Sequence, residues 1–226
     1  MTKKKVGAQR GRVSSPSATG GAGVHFEEHV DAAFLTLLLL RGIPPVLTDC
    51  VVTGVHFQAE HLGWATDDAI VVGTNGTGVQ RRLFCQVKLS FTVSTSNDEC
   101  RKAFGDFWSD FKANAEFSAE RDRFAIVVQR GTDMLLHHFV SLLDCARSSR
   151  DGDDFGRRLK VPGFLNAAAL RYAGEIQKIV GDIEGRAMSA GELWPFFKLL
   201  HVLPMDLHSS TRQTEAAMKT MLALVS

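Results

Sequence analysis

Apolar side chains recur at intervals of three and four residues between Val24 and Arg41, as they do on one face of an α-helix. Gly42, followed by two prolines, ends the helix that this spacing predicts. Valine, leucine and threonine then dominate from Val46 to Val55, which predicts a β-strand. A shorter apolar run from Ala69 to Val72 predicts a second strand, and Asp68 directly precedes it.

A β-hairpin follows, because the turn-forming residues Thr74 to Gly78 join the second strand to a returning strand from Val79 to Phe91. Aromatic residues at helical spacing predict the next helix; they are Phe104, Phe107, Trp108 and Phe111. The continuous apolar run from Phe124 to Val128 predicts a buried strand. Residues 24–130 are therefore expected to form, in order, helix, strand, strand, strand, helix and strand.

Most of the remaining chain is predicted to be helical. The expected helices are Met134–Ala146, Asn166–Ile183, Leu193–Leu200 and a last one that runs to the C-terminus. A capping box at Ser189 precedes the third of these, and a short strand is expected at Val202–Leu207. The aspartates at positions 151, 153 and 154 are expected to lie in an exposed loop.

These elements predict an α/β domain with a central mixed sheet flanked by helices. Residues 1–23 are expected to be a disordered basic arm, residues 24–130 the core, and residues 131–226 a helical extension. The last helix stops without a capping residue, which predicts that the chain is a piece of a longer protein. A C-terminal sensor or ATPase module is the expected continuation.

The composition fits a globular chain, since 45% of the 226 residues are hydrophobic. The longest apolar run, from Ala32 to Leu40, is far shorter than the roughly 20 residues that a membrane-spanning helix needs. The four cysteines are widely spaced, which favours reduced thiols over disulfides or a zinc ribbon. We therefore expect a cytoplasmic protein that has no membrane partner.

The net charge of +1 is unevenly distributed along the chain. Five of the 26 basic residues lie within positions 1–13. The rest of the chain, here called the body, has 21 basic and 25 acidic residues and therefore a formal charge of −4. Two interpretations of the arm stay open: a solubilising tail, or an arm that contacts phosphates. Any nucleic-acid contact by the body must be local or shared between several copies of the chain.

The predicted hairpin carries an unusual set of polar residues. Gln86 and Lys88 are two positions apart on the returning strand, so their side chains point to the same face. Lysine on a buried strand is costly unless it meets an acid, and Asp67 and Asp68 begin the neighbouring strand. Glu27 and Glu28 on the first helix complete a candidate carboxylate cluster.

Such a set suits Mg²⁺, which prefers carboxylate, carbonyl and water oxygens. A bound cation would polarise a phosphodiester, and a lysine would offset charge in the transition state. A purely structural interpretation stands beside this one. The two aspartates would then form a turn or a cap, and Lys88 would be an edge-strand lysine.

Residues 23–111 resemble the PD-(D/E)XK nuclease superfamily. More narrowly, they resemble the double-stranded DNA endonuclease domain of bacterial antiphage effectors, among them SAVED-linked CBASS effectors and the Avs STAND ATPases. The resemblance rests on three segments: Gly23–Glu27, Thr66–Val71 and Cys85–Ser90. The aromatic helix around Trp108 and the segment His201–Leu207 also resemble that domain.

The resemblance implies metal-dependent cleavage of double-stranded DNA, with Mg²⁺ or alternatively Mn²⁺ as cofactor. Lys88 would be the catalytic lysine, and Asp68, Gln86 and Glu27 would complete the catalytic and metal-binding set. Asp67 and Glu28 are the alternates at their positions. The family commonly has Glu or Asp where this chain has Gln86, so the site lacks one negative charge.

Four basic residues are the candidate DNA contacts: Arg81, Arg82, Arg101 and Lys102. The implied role is that of an antiphage effector that becomes active as a homo-oligomer, because one acidic body gathers few DNA contacts. The alternative is a non-catalytic DNA-binding or interaction module on the same fold.

Overall fold

The computed structural model describes residues 21–129, 134–207 and 213–223. The first part contains helix α1 (Gly21–Leu40), strands β1 (Cys50–Phe57), β2 (Ala69–Asn75) and β3 (Gln80–Lys88), helix α2 (Asp98–Ala113) and strand β4 (Arg123–Val128). A short 3₁₀ helix, Ala59–Leu62, lies between β1 and β2. The predicted order of helix, strand, strand, strand, helix and strand is confirmed.

The second part is helical apart from one strand. A π-helical turn, Met134–Phe139, leads into α3 (Val140–Ser148), α4 (Gly152–Leu159), α5 (Ala167–Glu184), α6 (Ala190–Leu199), β5 (Leu200–Pro204) and α7 (Gln213–Ala223). The capping box predicted at Ser189 is present, with the Ser189 and Glu192 side chains each bonded to the other's backbone N–H. No helix in the described ranges is long and apolar enough to span a membrane.

The five strands form one mixed sheet in the order β1-β2-β3-β4-β5. β1, β2 and β3 are antiparallel neighbours, whereas β4 runs parallel to β3 and β5 runs parallel to β4. The predicted mixed sheet flanked by helices is therefore confirmed. β5 spans Leu200–Pro204 rather than the predicted Val202–Leu207, because its ladder with β4 runs from the Phe124–Leu200 pair to the Val128–Pro204 pair.

Side chains alternate between the two faces of the sheet and build two cores. On the α1 face, Leu83 and Cys85 of β3 pack with Phe26, Val30 and Phe34. On the α2 face, Phe84 of β3 joins an aromatic cluster; its other members include Trp64, Phe107, Trp108, Phe111, Phe117, Phe124 and Phe196. The four cysteines are all buried and free, as their spacing predicts.

Several boundaries differ from the prediction. β1 begins at Cys50 because the turn after the two prolines reaches Cys50, whose N–H bonds to the Leu47 carbonyl at 3.0 Å. β3 ends at Lys88, three residues before Phe91. Residues 1–20 of the predicted arm lie outside the described ranges, and residues 21–23 already belong to α1.

The aspartates at positions 151, 153 and 154 lie in a different element from the predicted one. Instead of an exposed loop they begin α4, where the Asp151 carboxylate caps the helix by accepting the Asp154 N–H at 2.7 Å. Asp154 is buried and bonds to two arginines of the same helix, Arg157 and Arg158. A capping aspartate and a loop aspartate look alike in sequence when the helix that follows is only two turns long.

Candidate functional site

An ion pair joins the start of β2 to the end of β3. The Lys88 ammonium lies 3.0 Å from Asp68 Oδ2, and the same oxygen accepts the Val87 backbone N–H at 2.6 Å. Both side chains are largely buried, with 19% and 16% of their surface exposed. Two hydrogen bonds to one oxygen fix the carboxylate of Asp68 and leave its Oδ1 as the oxygen for another ligand.

Gln86 lies next to this pair on the α2 face of β3. It stands across from Asp68, one position beyond the paired residues Ala69 and Cys85. Its side chain is completely buried, and its Nε2 donates a hydrogen bond to Asp106 Oδ2 on α2 at 3.3 Å. The other end of the amide, Oε1, is buried without a hydrogen-bond partner. A buried acceptor without a partner is uncommon and marks a place where a further ligand would bind.

Helix α1 brings two more carboxylates toward Asp68. Burial raises the pKa of Glu27, and the negative charge of Asp68 raises it further, while Lys88 lowers it. Burial and the charges of Glu27 and Asp68 raise the pKa of Asp31 from 3.8 to about 6. The carboxylates therefore share a region of negative potential that a cation would relieve.

The alternates at these positions are placed differently. Glu28 is exposed and pairs with His25 at 3.1 Å, on the solvent side of α1. Asp67 adds negative charge near Glu27, and its backbone carbonyl accepts the Ala59 N–H at 3.1 Å. Asp68 pairs directly with Lys88, and Glu27 lines the same groove as Lys88, whereas the charge of Asp67 acts on Glu27 and Lys102 from nearby.

The donor set fits Mg²⁺ better than a softer metal. Asp68 offers a carboxylate and Gln86 an amide oxygen, and Mg²⁺ commonly takes one or two carboxylates and keeps several waters. Within residues 21–129, 134–207 and 213–223, no three His, Cys, Asp or Glu side chains are grouped so that they could hold a metal. A cation here would therefore depend on the Gln86 oxygen and on water as well as on Asp68.

A groove of about 340 Å³ opens beside the ion pair. Its lining includes Glu27, Lys88, Ser90 and Glu99. Larger grooves of about 780 and 840 Å³ run beside α5 and α4, and the ion pair lines neither of them. The candidate site is therefore identified by its charged side chains and not by the volume of its groove.

The four candidate DNA contacts divide into two pairs. Lys102 lies beside the site: its ammonium bonds to Asp106 at 2.7 Å, which raises its pKa, as do the charges of Asp68 and Asp67. Arg101, one residue earlier on α2, is exposed, and its guanidinium donates to the Thr95 carbonyl at 2.6 Å and pairs with Asp98.

Arg81 and Arg82 are not brought to the site. They precede Lys88 on β3 by seven and six residues, which is roughly 20 Å along a strand. Arg81 pairs with Asp49 at 3.0 Å. Arg82 pairs with buried Asp122 at 2.9 Å and lies over the Trp64 ring at 4.6 Å. These contacts tie β3 to neighbouring segments of the chain.

Sequence reasoning missed two acids of this site, Asp31 and Asp106. Asp31 follows Glu27 by four residues, so one helical turn places both on the same side of α1. Asp106 has the same relation to Lys102 on α2. The helical spacing was visible, but nothing in the sequence indicated which faces of α1 and α2 meet the end of β3.

No protein-family model matches the chain, and no curated protein matches it. A solved structure, the Moraxella osloensis Cap4 SAVED/CARF-domain containing receptor, is similar at 13% sequence identity and a TM-score of 0.44. The match covers 91% of this chain and 38% of that receptor, so the chain spans well under half of the receptor's length. This likeness is too weak to assign a function.

Proposed function

We propose that the chain is a metal-dependent endonuclease that cleaves double-stranded DNA. The observation that carries the proposal is the Lys88–Asp68 ion pair beside Gln86, whose buried amide oxygen has no partner. A lysine, a carboxylate and an unpartnered oxygen at one sheet end are the parts that phosphodiester hydrolysis needs. The resemblance of the three short motifs to PD-(D/E)XK nucleases points to the same chemistry.

Asp68 and Gln86 are the residues that would hold the cation, with Glu27 as the nearby second carboxylate. When bound, Mg²⁺ or Mn²⁺ polarises the phosphodiester and lowers the pKa of a water. Lys88 offsets the negative charge that develops on the phosphate, and its bond to Asp68 holds the ammonium in place. The negative potential from Glu27 and Asp31 favours cation binding over an empty site.

The biological role proposed is that of an effector in bacterial antiphage defence. It rests on the resemblance to the nuclease domains of such effectors. The formal charge of −4 on the body fits an enzyme that is weakly active alone and gains DNA contacts when copies assemble.

Plasmid cleavage with Mg²⁺, Mn²⁺ or EDTA tests the proposal. We expect metal-dependent nicking by the wild type and a loss of at least about 100-fold in Lys88→Ala and Asp68→Ala, since each removes transition-state or metal stabilisation. Lys178→Ala is the matched control, because Lys178 is an exposed lysine on α5.

Two outcomes would contradict the nuclease assignment. Cleavage that survives both site substitutions would place the activity elsewhere. DNA binding in EDTA together with no cleavage at any protein concentration, including concentrations at which the chain self-associates, would favour the non-catalytic binding module.

A further inference from the structure

The two ends of the Gln86 amide have different surroundings. The Nε2 end faces Asp106 Oδ2 at 3.3 Å, whereas the Oε1 end is buried with no partner. An amide that turned over would place its oxygen against the carboxylate of Asp106. A carboxylate only accepts hydrogen bonds, so the turned arrangement would oppose two acceptors. Asp106 therefore selects one orientation of the amide.

Asp106 is itself held in place. Its Oδ2 accepts both the Gln86 Nε2–H and the ammonium of Lys102, the latter at 2.7 Å. Lys102 lies four residues earlier on α2, so the helix fixes the distance between the two. A chain of contacts thus runs from the surface of α2 to the buried amide of β3.

We infer that Asp106 is a positioning residue, which turns the carbonyl oxygen of Gln86 toward the cation beside Asp68. The inference rests on the proposed function, because it assigns a role to Gln86 as a ligand of that cation. Residues behind a metal ligand commonly set its orientation, and losing them costs about 10–100-fold in metal affinity.

Asp106 also accounts for the glutamine at position 86. The resembling family commonly has Glu or Asp there, and a glutamate, which has the shape of Gln86, would place a second carboxylate about 3.3 Å from that of Asp106. Two carboxylates at that separation repel, and one of them tends to take up a proton. An amide avoids the repulsion and still offers one oxygen. Gln86 and Asp106 therefore form a matched pair.

Mn²⁺ binding, followed by electron paramagnetic resonance, tests the inference without requiring activity. Asp106→Leu has a similar shape and no acceptor, so we expect it to weaken Mn²⁺ binding about 10–100-fold. Asp106→Asn keeps an oxygen that accepts the Gln86 N–H, so we expect it to retain most of the affinity. Asp98→Leu is the control, since Asp98 is an exposed aspartate on the same helix.

Comparing the two Asp106 variants separates the orientation of the Gln86 amide from the negative charge of Asp106 as the cause of a lost affinity. Both remove the same negative charge, so an equal loss of affinity in the two would make Asp106 an electrostatic contributor and overturn the inference. Unchanged affinity in Asp106→Leu would also overturn it. Circular dichroism and Tm verify that each variant is folded.

A rescue experiment tests the matched pair. Gln86→Glu alone is expected to lower Tm, because it opposes Asp106. Combining it with Asp106→Asn restores a donor facing the new carboxylate, so we expect the double variant to recover Tm and to bind Mn²⁺ at least as tightly as the wild type. Absence of any recovery would contradict the pairing. If the wild type itself bound no Mn²⁺, the proposed function would fail, and the inference with it.

Discussion

At the scale of single residues, the ionised carboxylate of Asp31 lowers the stability of the folded protein. Its pKa is raised from 3.8 to about 6, chiefly by burial and then by Glu27 and Asp68, and its Oδ1 is buried without a hydrogen-bond partner. The folded protein therefore disfavours the ionised form, which the unfolded chain adopts freely. The free energy of unfolding therefore falls as pH rises from 3.8 to about 6, and it stays lowered above that range.

We therefore predict that Asp31→Asn stabilises the metal-free protein at pH 7.5. After allowance for solvent screening of a half-exposed group, the gain should be about 1 kcal/mol, or about 2–4 °C in Tm. At pH 4 most of the difference should vanish, because the wild-type carboxyl is then largely neutral when folded and partly neutral when unfolded. Differential scanning calorimetry measures the difference in Tm between Asp31→Asn and the wild type at each of the two pH values.

Asp98→Asn is the control for this prediction, because Asp98 is an exposed acid on α2 and its charge does not act on Asp31. An equal Tm for Asp31→Asn and wild type at pH 7.5 would mean that Asp31 is not under electrostatic strain. Added Mg²⁺ should reduce the difference in Tm between Asp31→Asn and the wild type, since a bound cation relieves the repulsion that the substitution removes.

The partners of Lys88 could be foreseen, whereas those of Gln86 could not. A lysine inside a strand needs an acid, and the hairpin places Asp68 directly before the neighbouring strand, so sequence spacing predicts that contact. Asp106 belongs to α2, twenty residues after Gln86, and its contact depends on how α2 is rotated over the sheet. That rotation follows from the packing of large aromatic side chains, which periodicity alone does not fix.

At the scale of elements, Asp122 joins β3 to the loop before β4. It is 1% exposed and accepts three hydrogen bonds from Arg82, at 3.1, 3.2 and 2.9 Å, and one from the Ser118 N–H at 2.8 Å. This arrangement explains why Arg82 lies away from the site although it is close to Gln86 in sequence. Arg82 therefore stabilises the contact between β3 and the segment before β4.

We predict that Asp122→Ala lowers the free energy of unfolding by about 3 kcal/mol, because it leaves the largely buried Arg82 without its main partner. The corresponding fall in Tm is about 6–12 °C for a chain of this size. Urea unfolding and calorimetry measure the two quantities. Asp98→Ala removes an exposed aspartate and is the control.

A DNA-binding measurement completes this test. If Arg82 is structural, Arg82→Ala should lower Tm, while DNA affinity at a temperature where the variant is folded should stay close to that of the wild type. Arg101→Ala should show the opposite pattern, since Arg101 is exposed on α2 near the site. A large loss of DNA affinity with unchanged stability in Arg82→Ala would contradict the structural role.

Elements that bury a regular face were predictable from sequence, and those that depend on a local turn were not. α1, α2 and α5 each bury an apolar stripe, and β4 is apolar from Phe124 to Val128, so the prediction found all four. The start of β1 was missed because Val46 adopts a positive φ of 69°, which β-branched residues rarely do. Its β propensity was overridden by the turn that follows the two prolines.

At the scale of the whole molecule, charge poses the main difficulty for a DNA-cleaving role. The body has a formal charge of −4, and of the four candidate DNA contacts only Arg101 and Lys102 lie on the helix beside the site. Lys102 already pairs with Asp106. A single body therefore offers few cations to phosphate, and the five Lys and Arg residues within positions 1–13 become the largest local source of positive charge.

We predict that removing residues 1–20 weakens binding to a DNA duplex and flattens its dependence on salt. Each phosphate contact contributes about 0.9 to the slope of log K against log salt concentration, so losing up to five contacts would reduce the slope by as much as about 4.5. Fluorescence anisotropy in EDTA at several salt concentrations measures the slope without cleavage. Lys178→Ala, which removes an exposed charge from α5, should change it by less than one.

The two interpretations of the arm give different slopes. If the arm only solubilises the chain, the truncated protein keeps the wild-type slope, and aggregation rather than DNA affinity changes. If the arm contacts phosphates, the truncated protein should still bind Mn²⁺, because Asp68, directly before β2, and Gln86 on β3 lie outside the removed residues. DNA cleavage by the truncated protein should then recover as salt is lowered, since weaker screening restores part of the lost attraction to the duplex.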